Sequence, residues 1–147
     1  MGDKIHRKGD FVMSSSNLTL LTDLYQLTMM QGYFKANNKN VAVFDAFYRN
    51  NPSDGGYAIF AGLQQVIEYI ENLHFDEDDI NYLRGLGIFD EDFLEYLSTF
   101  HFTGDIYAFP EGTVMFPREP MIKVIAPIME AQLIETAILN IVNHQSL

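Results

Sequence analysis

The sequence predicts an α+β fold. Apolar residues recur every three or four positions over residues 18–34 and again over residues 127–142, which is the spacing of a helix that buries one face. Residues 41–48 are rich in β-branched and aromatic side chains, which is typical of a strand. Short strands with turns follow over residues 102–127, so the regular βαβα alternation of a parallel sheet is absent. We therefore expect a mostly antiparallel sheet flanked by helices.

The first predicted helix, residues 18–34, contains a start signal and an aromatic residue of interest. Asp23 and Gln26 have the spacing of a capping box, in which both side chains would bond backbone groups at the helix start. Tyr25 lies between them, next to Leu24 on the core-facing side. An aromatic ring there can stack on a planar ligand while its hydroxyl stays in water. Packing in the core is the alternative, and the residue type alone favours it.

The middle of the chain is predicted to hold one short strand and three helices. Residues 50–56 form a turn by composition, and residues 57–60 a short strand. Gly62 then opens a helix with apolar residues on one side. Two shorter helices begin near Asp76 and Asp90, where acidic residues favour the positive end of the helix dipole.

The charge of the chain is negative and concentrated in one region. The 147 residues carry a formal net charge of −11, and residues 64–100 contain ten acidic residues with Arg84 as their one basic residue. Nucleic acids and anionic membranes attract proteins with a positive field, so we expect neither as a partner.

The two acidic clusters invite comparison with a calcium loop. An EF-hand loop needs glycine at its sixth position, but loops beginning at Asp76 and Asp90 would place Asn81 and Glu95 there. Helix capping and a solvated surface are the better interpretation of both clusters.

The composition excludes several other kinds of site. The chain has no cysteine, which removes disulfides, thiolate nucleophiles and cysteine-ligated metals and is compatible with a cytoplasmic location. It contains no phosphate-binding glycine loop, no hydrolase nucleophile elbow and no apolar run long enough to span a bilayer. The four histidines are far apart and share no metal-binding spacing: His6, His74, His101 and His144. We therefore predict no metal site in this chain.

The two ends of the chain differ from its middle. Residues 1–16 have a tail-like composition, and we expect a flexible or tag-derived segment. Residues 17–127 are predicted to form an α+β domain, and residues 128–147 a separate helix. No glycine or proline ends that helix, and its apolar face is wide. We therefore expect that a segment covering this face is missing and that the chain is the front part of a larger protein.

Four segments, in order, resemble nicotinate phosphoribosyltransferases. They are residues 20–29 (LLTDLYQLTM), 55–63 (GGYAIFAGL), 104–112 (GDIYAFPEG), and 130–147, which begins EAQL and ends NHQSL. The resemblance covers the N-terminal domain of that family, with its hammerhead-like strand region, and the first helix that leads into a catalytic α/β barrel. The barrel itself lies outside the resemblance.

The resemblance implies an activity. Members of this family join nicotinate to phosphoribosyl pyrophosphate, giving nicotinate mononucleotide and pyrophosphate in NAD salvage, with Mg²⁺ and in many members with ATP hydrolysis. The phosphate-binding residues and the phosphorylated histidine of the family lie in the barrel, so we carry over no catalytic residue to this chain. We accordingly expect that the chain alone neither turns over nor binds these cofactors.

The resemblance also implies roles for particular residues. Tyr25 would contact the nicotinate ring, typically in the active site of the neighbouring subunit of a homodimer. Asp23 and Gln26 would then be structural supports that set the start of the helix. Arg49, at the end of the first strand, is a weaker candidate for substrate binding, and a surface ion pair is an equal alternative.

Relatives with other functions define the alternatives. Quinolinate phosphoribosyltransferases carry an arginine in the helix around Glu135, and the carboxylate of Glu135 would instead repel a second substrate carboxylate. A nicotinamide phosphoribosyltransferase shares the architecture but matches the first segment less well. A non-catalytic binding or assembly module with the same fold is the alternative from another functional class.

Overall fold

The computed structural model describes residues 17–51 and 55–146. The predicted tail, residues 1–16, and His6 within it lie outside the described residues. The helices and strands follow one another in the order α1 (Leu24–Lys35), β1 (Val41–Ala46), β2 (Ala58–Ile59), α2 (Leu63–Glu71), α3 (Glu77–Gly85), α4 (Glu91–Ser98), β3 (Asp105–Ala108), β4 (Val114–Met115), β5 (Ile122–Pro127) and α5 (Ile128–Gln145). The predicted α+β fold with antiparallel sheets is confirmed.

The larger sheet has three antiparallel strands in the order β1-β5-β3. In β5 the side chains of Ile122, Val124 and Ala126 are buried, while Lys123 points to the opposite face beside Asp45 of β1. This alternation gives the sheet one face toward the core and one toward the solvent. The strands β2 and β4 form a separate two-stranded antiparallel sheet.

The helix α5 lies at the centre of the core. It contacts α1, α2, β1 and β5, and nine of its side chains are buried. Leu139 is its one large apolar residue that stays exposed, at 44%. The expectation that its wide apolar face lacks a covering segment is therefore wrong, because α1, α2 and the sheet cover that face within this chain.

The first helix begins at Leu24 rather than at residue 18. The residues before it form a turn, in which the N–H of Leu21 donates to the carbonyl of Leu18. The hydroxyl of Thr19, a buried residue, donates to the carbonyl of His74 at 2.6 Å. Tertiary hydrogen bonds therefore hold this segment outside the helix, although its apolar spacing suits one.

The helices α3 and α4 begin at the two predicted acidic clusters. Asp76 is the N-cap of α3 and forms a capping box with Asp79. The N–H of Asp79 and the side chain of Asn17 stabilise the Asp76 carboxylate and hold its pKa below the usual range. Asp90 is the N-cap of α4, but its carboxylate pairs with Lys35 of α1 at 2.6 Å instead of capping the helix.

Candidate functional site

Tyr25 is the second residue of α1 and is half exposed. Its side chain keeps 53% of its accessible surface, and the neighbouring Leu24 and Met29 keep 50% and 41%. Its backbone carbonyl accepts a hydrogen bond from the hydroxyl of Thr28, and its phenol hydroxyl has no hydrogen bond within the described residues. A core residue would be buried on both ring faces, so Tyr25 is not part of the core that the described residues form.

Asp23 and Gln26 do not form the predicted capping box. Asp23 is the N-cap of α1, yet its side chain makes no capping hydrogen bond. Its carboxylate accepts from the hydroxyl of Thr136 on α5, with the two oxygens 3.1 Å apart. The Gln26 amide is fully buried, and its nitrogen donates to the carboxylate of Glu135 on α5 at 3.2 Å. The capping-box prediction is wrong because both side chains face α5 and bond there.

A partly buried polar network therefore joins the start of α1 to the middle of α5. The amide oxygen of Gln26 accepts from the hydroxyl of Thr22 and lies 3.0 Å from the hydroxyl oxygen of Thr136. The side-chain nitrogen of Gln132, which is also buried, donates to the Glu135 carboxylate at 3.3 Å. Each buried amide thus has a partner, as buried polar groups require.

Arg49 follows β1 and lies beside a surface groove of about 420 Å³, which we call the arginine groove. The groove runs between the end of β1 and the last turns of α5. Its lining residues are Ala46, Phe47, Tyr48, Arg49, Asn50, Ala58, Met121, Leu139, Val142, Asn143 and Ser146. Arg49 forms no ion pair with the described residues, so they contain no partner for the alternative role of Arg49 in a surface ion pair.

A second groove of about 420 Å³ adjoins the first, and we call it the glutamate groove. It lies between β1 and the first half of α5, and Glu135 lines it together with Asp45. Its other lining residues are apolar: Val43, Phe44, Ala46, Phe47, Val124, Ala131, Ile134, Ile138 and Leu139. The two grooves share Ala46, Phe47 and Leu139 and so are neighbours on the surface.

The structure does not bring Tyr25 and Arg49 into one cavity. Arg49 lines the arginine groove, whereas Tyr25 lines neither groove. Gln26 reaches α5 at Glu135, which lines the glutamate groove, so the polar network of α1 lies next to that groove. The two candidate binding residues therefore do not share either of these grooves.

The start of α2 is held by residues whose role sequence reasoning missed. The carboxylate of Glu111 accepts from the N–H of Gly62 at 2.6 Å and so caps α2 from a distant turn. The hydroxyl of Ser146 bonds both the N–H and the carbonyl of Ala61, each at 3.1 Å. Gly62 has φ of 98°, and a Cβ there would lie 3.1 Å from Cβ of Gln145. The sequence shows these residues within the four similar segments but not which of them meet.

Hydrogen bonds therefore link the four similar segments. The first segment bonds α5 through Gln26, the second bonds Ser146, the C-cap of α5, through Ala61, and the third reaches the second through Glu111. In the third segment, a Cβ on Gly104 would lie 2.4 Å from Cβ of Ala126 on β5, so only glycine allows the close packing there. These segments form one structural unit.

The described residues offer no metal site and no membrane span. They contain no group of three or more His, Asp or Glu residues placed to hold a metal ion. His74 and His101 direct their Nδ1 atoms to the carbonyls of Asn72 and Thr99, and His144 lies exposed in the last turn of α5. No helix among them is both long enough and apolar enough to cross a bilayer.

Comparison with known proteins identifies the family. Residues 20–143 match the model of the nicotinate phosphoribosyltransferase (NAPRTase) N-terminal domain. A Mycobacterium tuberculosis protein, nicotinate phosphoribosyltransferase pncB2, is 50% identical over 127 residues, which are 86% of this chain and 27% of that protein. The chain therefore spans about a quarter of the length of this curated relative.

Solved structures give the same result. The crystal structure of human nicotinic acid phosphoribosyltransferase superposes with a TM-score of 0.75 at 33% identity, covering 82% of this chain and 25% of the human chain. The nicotinate-nucleotide pyrophosphorylase from Pyrococcus furiosus superposes with a TM-score of 0.61 at 18% identity, covering 91% of this chain and 28% of that one, which shows the shared fold alone. The chain belongs to the family of nicotinate phosphoribosyltransferase N-terminal domains.

Proposed function

We propose that this chain is the N-terminal part of a nicotinate phosphoribosyltransferase. The full-length enzyme would join nicotinate to phosphoribosyl pyrophosphate and release pyrophosphate, giving nicotinate mononucleotide for NAD salvage. The observation that carries this proposal is the family match over residues 20–143, together with 50% identity to a relative with that name. The four similar segments are linked by hydrogen bonds within one fold, which supports their forming one piece of the enzyme.

In this proposal Tyr25 contacts the nicotinate ring. Three observations support it: the ring is half exposed, its hydroxyl is free of hydrogen bonds within the described residues, and the helix beneath it is anchored to α5. A flat pyridine ring needs a rigid aromatic surface on which to stack, and an anchored helix provides that rigidity.

The site is proposed to be shared between two subunits of a homodimer. Arg49 lines the arginine groove and Tyr25 lines neither groove, which supports a site that another subunit completes. Arg49 is the weaker candidate, and its role would be to bind an anionic group of a substrate. Its guanidinium is exposed, and no carboxylate of the described residues pairs with it.

The cofactors of the whole enzyme, Mg²⁺ and ATP, are proposed to bind residues outside this region. The described residues hold no cluster of metal ligands, and the chain is strongly acidic, whereas phosphoryl groups need positive groups around them. We propose a cytoplasmic location, since cysteine is absent and the substrates are metabolites.

A kinetic comparison of Tyr25 with a matched tyrosine tests the proposal. In the full-length enzyme Tyr25→Ala should weaken nicotinate binding by about 1–3 kcal/mol, the scale of one aromatic stacking contact. Tyr82→Ala is the control, because Tyr82 is 60% exposed on the acidic helix α3. Unchanged KM and kcat for nicotinate in Tyr25→Ala would remove Tyr25 from the site.

The activity itself has a separate test. The full-length enzyme should release pyrophosphate from phosphoribosyl pyrophosphate when nicotinate is added, and much less when nicotinamide is added. The 147-residue chain alone should release none. Turnover by the chain alone would contradict its proposed place in the enzyme, and a preference for nicotinamide would favour the nicotinamide phosphoribosyltransferase alternative.

A further inference from the structure

The start of α1 depends on α5 for its polar contacts. Asp23 makes no capping hydrogen bond to its own helix, and instead its carboxylate accepts from Thr136. Gln26, one turn along, is fully buried and bonded to Thr136 and Glu135. These two anchored residues lie on either side of Tyr25 in the sequence.

The hydrogen-bond chemistry of Thr136 makes it the centre of this network. Its hydroxyl oxygen lies 3.1 Å from the Asp23 carboxylate and 3.0 Å from the Gln26 amide oxygen. Both of those groups only accept, so the single hydroxyl proton of Thr136 is the donor they share. The amide nitrogen of Gln26 needs an acceptor, and the Glu135 carboxylate supplies it.

We propose that Thr136 and Glu135 are positioning residues for Tyr25. They hold the first turn of α1 at a fixed rotation on α5, and the outward side of that turn presents the half-exposed phenol ring. Burial makes the arrangement rigid, because rotating α1 on α5 would leave the buried side-chain nitrogen of Gln26 without its Glu135 acceptor. The ligand of Tyr25 is nicotinate only if the proposed function holds, whereas the positioning itself is independent of any ligand.

Glu135 also links this network to the surface. Its carboxylate lines the glutamate groove while it accepts from Gln26 and Gln132. A ligand that contacts Glu135 in that groove would therefore contact a direct hydrogen-bond partner of Gln26 in the first turn of α1.

Fluorine NMR on the 147-residue chain tests the positioning without a substrate. The chain is labelled with 3-fluorotyrosine, and the Tyr25 signal is identified by its absence in Tyr25→Phe. Thr136→Val should shift or broaden the Tyr25 signal and leave that of Tyr107, on β3, unchanged. Thr136→Ser, which keeps the hydroxyl, should give the wild-type Tyr25 signal. Thr99→Val removes a hydroxyl that bonds only within its own turn, and it should leave the Tyr25 signal unchanged.

An unchanged Tyr25 signal in folded Thr136→Val would overturn the proposal. If Thr136→Val does not fold, Glu135→Ala and Glu135→Gln make the same comparison, since glutamine keeps an oxygen that can accept from Gln26. A shift in Glu135→Ala that Glu135→Gln reverses supports the positioning role, and equal spectra contradict it.

Kinetics of the full-length enzyme separate this proposal from the proposed function. Thr136→Val should raise the KM for nicotinate by about 3- to 10-fold, the scale of one hydrogen bond, with kcat within about twofold of the wild type. Thr136→Ser should restore the KM. An active wild type whose KM is unchanged by Thr136→Val overturns the positioning role alone. A wild type that does not use nicotinate overturns the proposed function alone, and the NMR comparison then decides the positioning role.

Discussion

The helices α1 and α3 begin with the same polar spacing and use it in opposite ways. Each follows an aspartate N-cap, and each has a side chain three residues later that can reach back: Gln26 after Asp23, and Asp79 after Asp76. In α3 the two aspartates bond each other's backbone N–H groups at 2.9 and 3.1 Å. In α1 both side chains leave their own helix and bond α5.

The difference comes from what each helix start faces. The first turn of α3 carries three acidic residues at the surface, so its side chains satisfy the backbone N–H groups that no other element reaches. The first turn of α1 lies on α5, where the side chains of Thr136 and Glu135 hydrogen-bond Asp23 and the buried Gln26. Identical spacing therefore gives a capping box closed on its own backbone in α3, and side chains bonded to α5 in α1. Tyr25 lies in the first turn of α1, the helix start that bonds α5.

Among the polar residues at the two helix starts, the largest effect should come from Gln26. Gln26→Leu would leave Thr136 and Glu135 without their buried partner, at a cost of about 1–3 kcal/mol in the free energy of unfolding. Urea denaturation followed by circular dichroism measures this. Gln64→Leu is the matched control, because Gln64 is exposed and its side-chain amide bonds only Glu68 of its own helix. Equal losses for the two variants would mean that the network adds nothing.

A smaller, pH-dependent effect is expected at Asp76. Its pKa in the folded chain lies below the usual range, chiefly because the N–H of Asp79 bonds the charged carboxylate. Such a group stabilises the fold at pH values above its unfolded pKa, and this contribution is lost as the pH falls through the folded pKa.

Comparison with Asp76→Asn tests this dependence. The wild type should be more stable than Asp76→Asn at neutral pH, and the difference should shrink as the solution is acidified below about pH 4, the ordinary pKa of an aspartate. Urea midpoints at several pH values measure it. A difference that stays constant on acidification would show that the charge of Asp76 is not what stabilises α3.

Replacing Asp23 should cost less than replacing Asp76. Asp23→Ala removes no capping hydrogen bond, and the Thr136 hydroxyl can still donate to Gln26, so we expect a change within about 0.5 kcal/mol. Thermal unfolding of Asp23→Ala beside Asp76→Ala measures the contrast. Equal losses would show that α1 relies on its own cap as α3 does.

The smallest effect on stability is expected at Tyr25. Its ring is half exposed, so Tyr25→Ala should change the free energy of unfolding by no more than about 0.5 kcal/mol. Leu27→Ala is the contrast, because that side chain is 2% exposed in the core and its loss should cost about 2–5 kcal/mol. A Tyr25→Ala variant as unstable as Leu27→Ala would make Tyr25 a packing residue after all.

Much of the fold could be predicted because its signals are local. The β-branched and aromatic run gives β1, the apolar spacing gives α2 and α5, and the acidic starts give α3 and α4. Such patterns need only the residues of one element. The antiparallel α+β class followed from their order alone.

The remaining features depend on contacts between distant residues. Thr19 bonds His74, and this tertiary contact keeps α1 from starting at residue 18. Residue spacing cannot show that Glu111 caps α2. Nor can it show that α1 packs on α5 and covers part of its apolar face. The resemblance pointed to Tyr25, but its exposure and the network below it required the packing of α1 on α5.

A double-mutant cycle tests the contrast between the two helix starts most directly. The free energies of unfolding are measured for Gln26→Leu, Thr136→Val and the pair, and likewise for Asp76→Ala, Thr136→Val and their pair. We predict a coupling energy of at least about 0.5 kcal/mol between Gln26 and Thr136 and additivity between Asp76 and Thr136. Additive effects in both cycles would contradict the account, because α1 would then be as independent of α5 as α3 is.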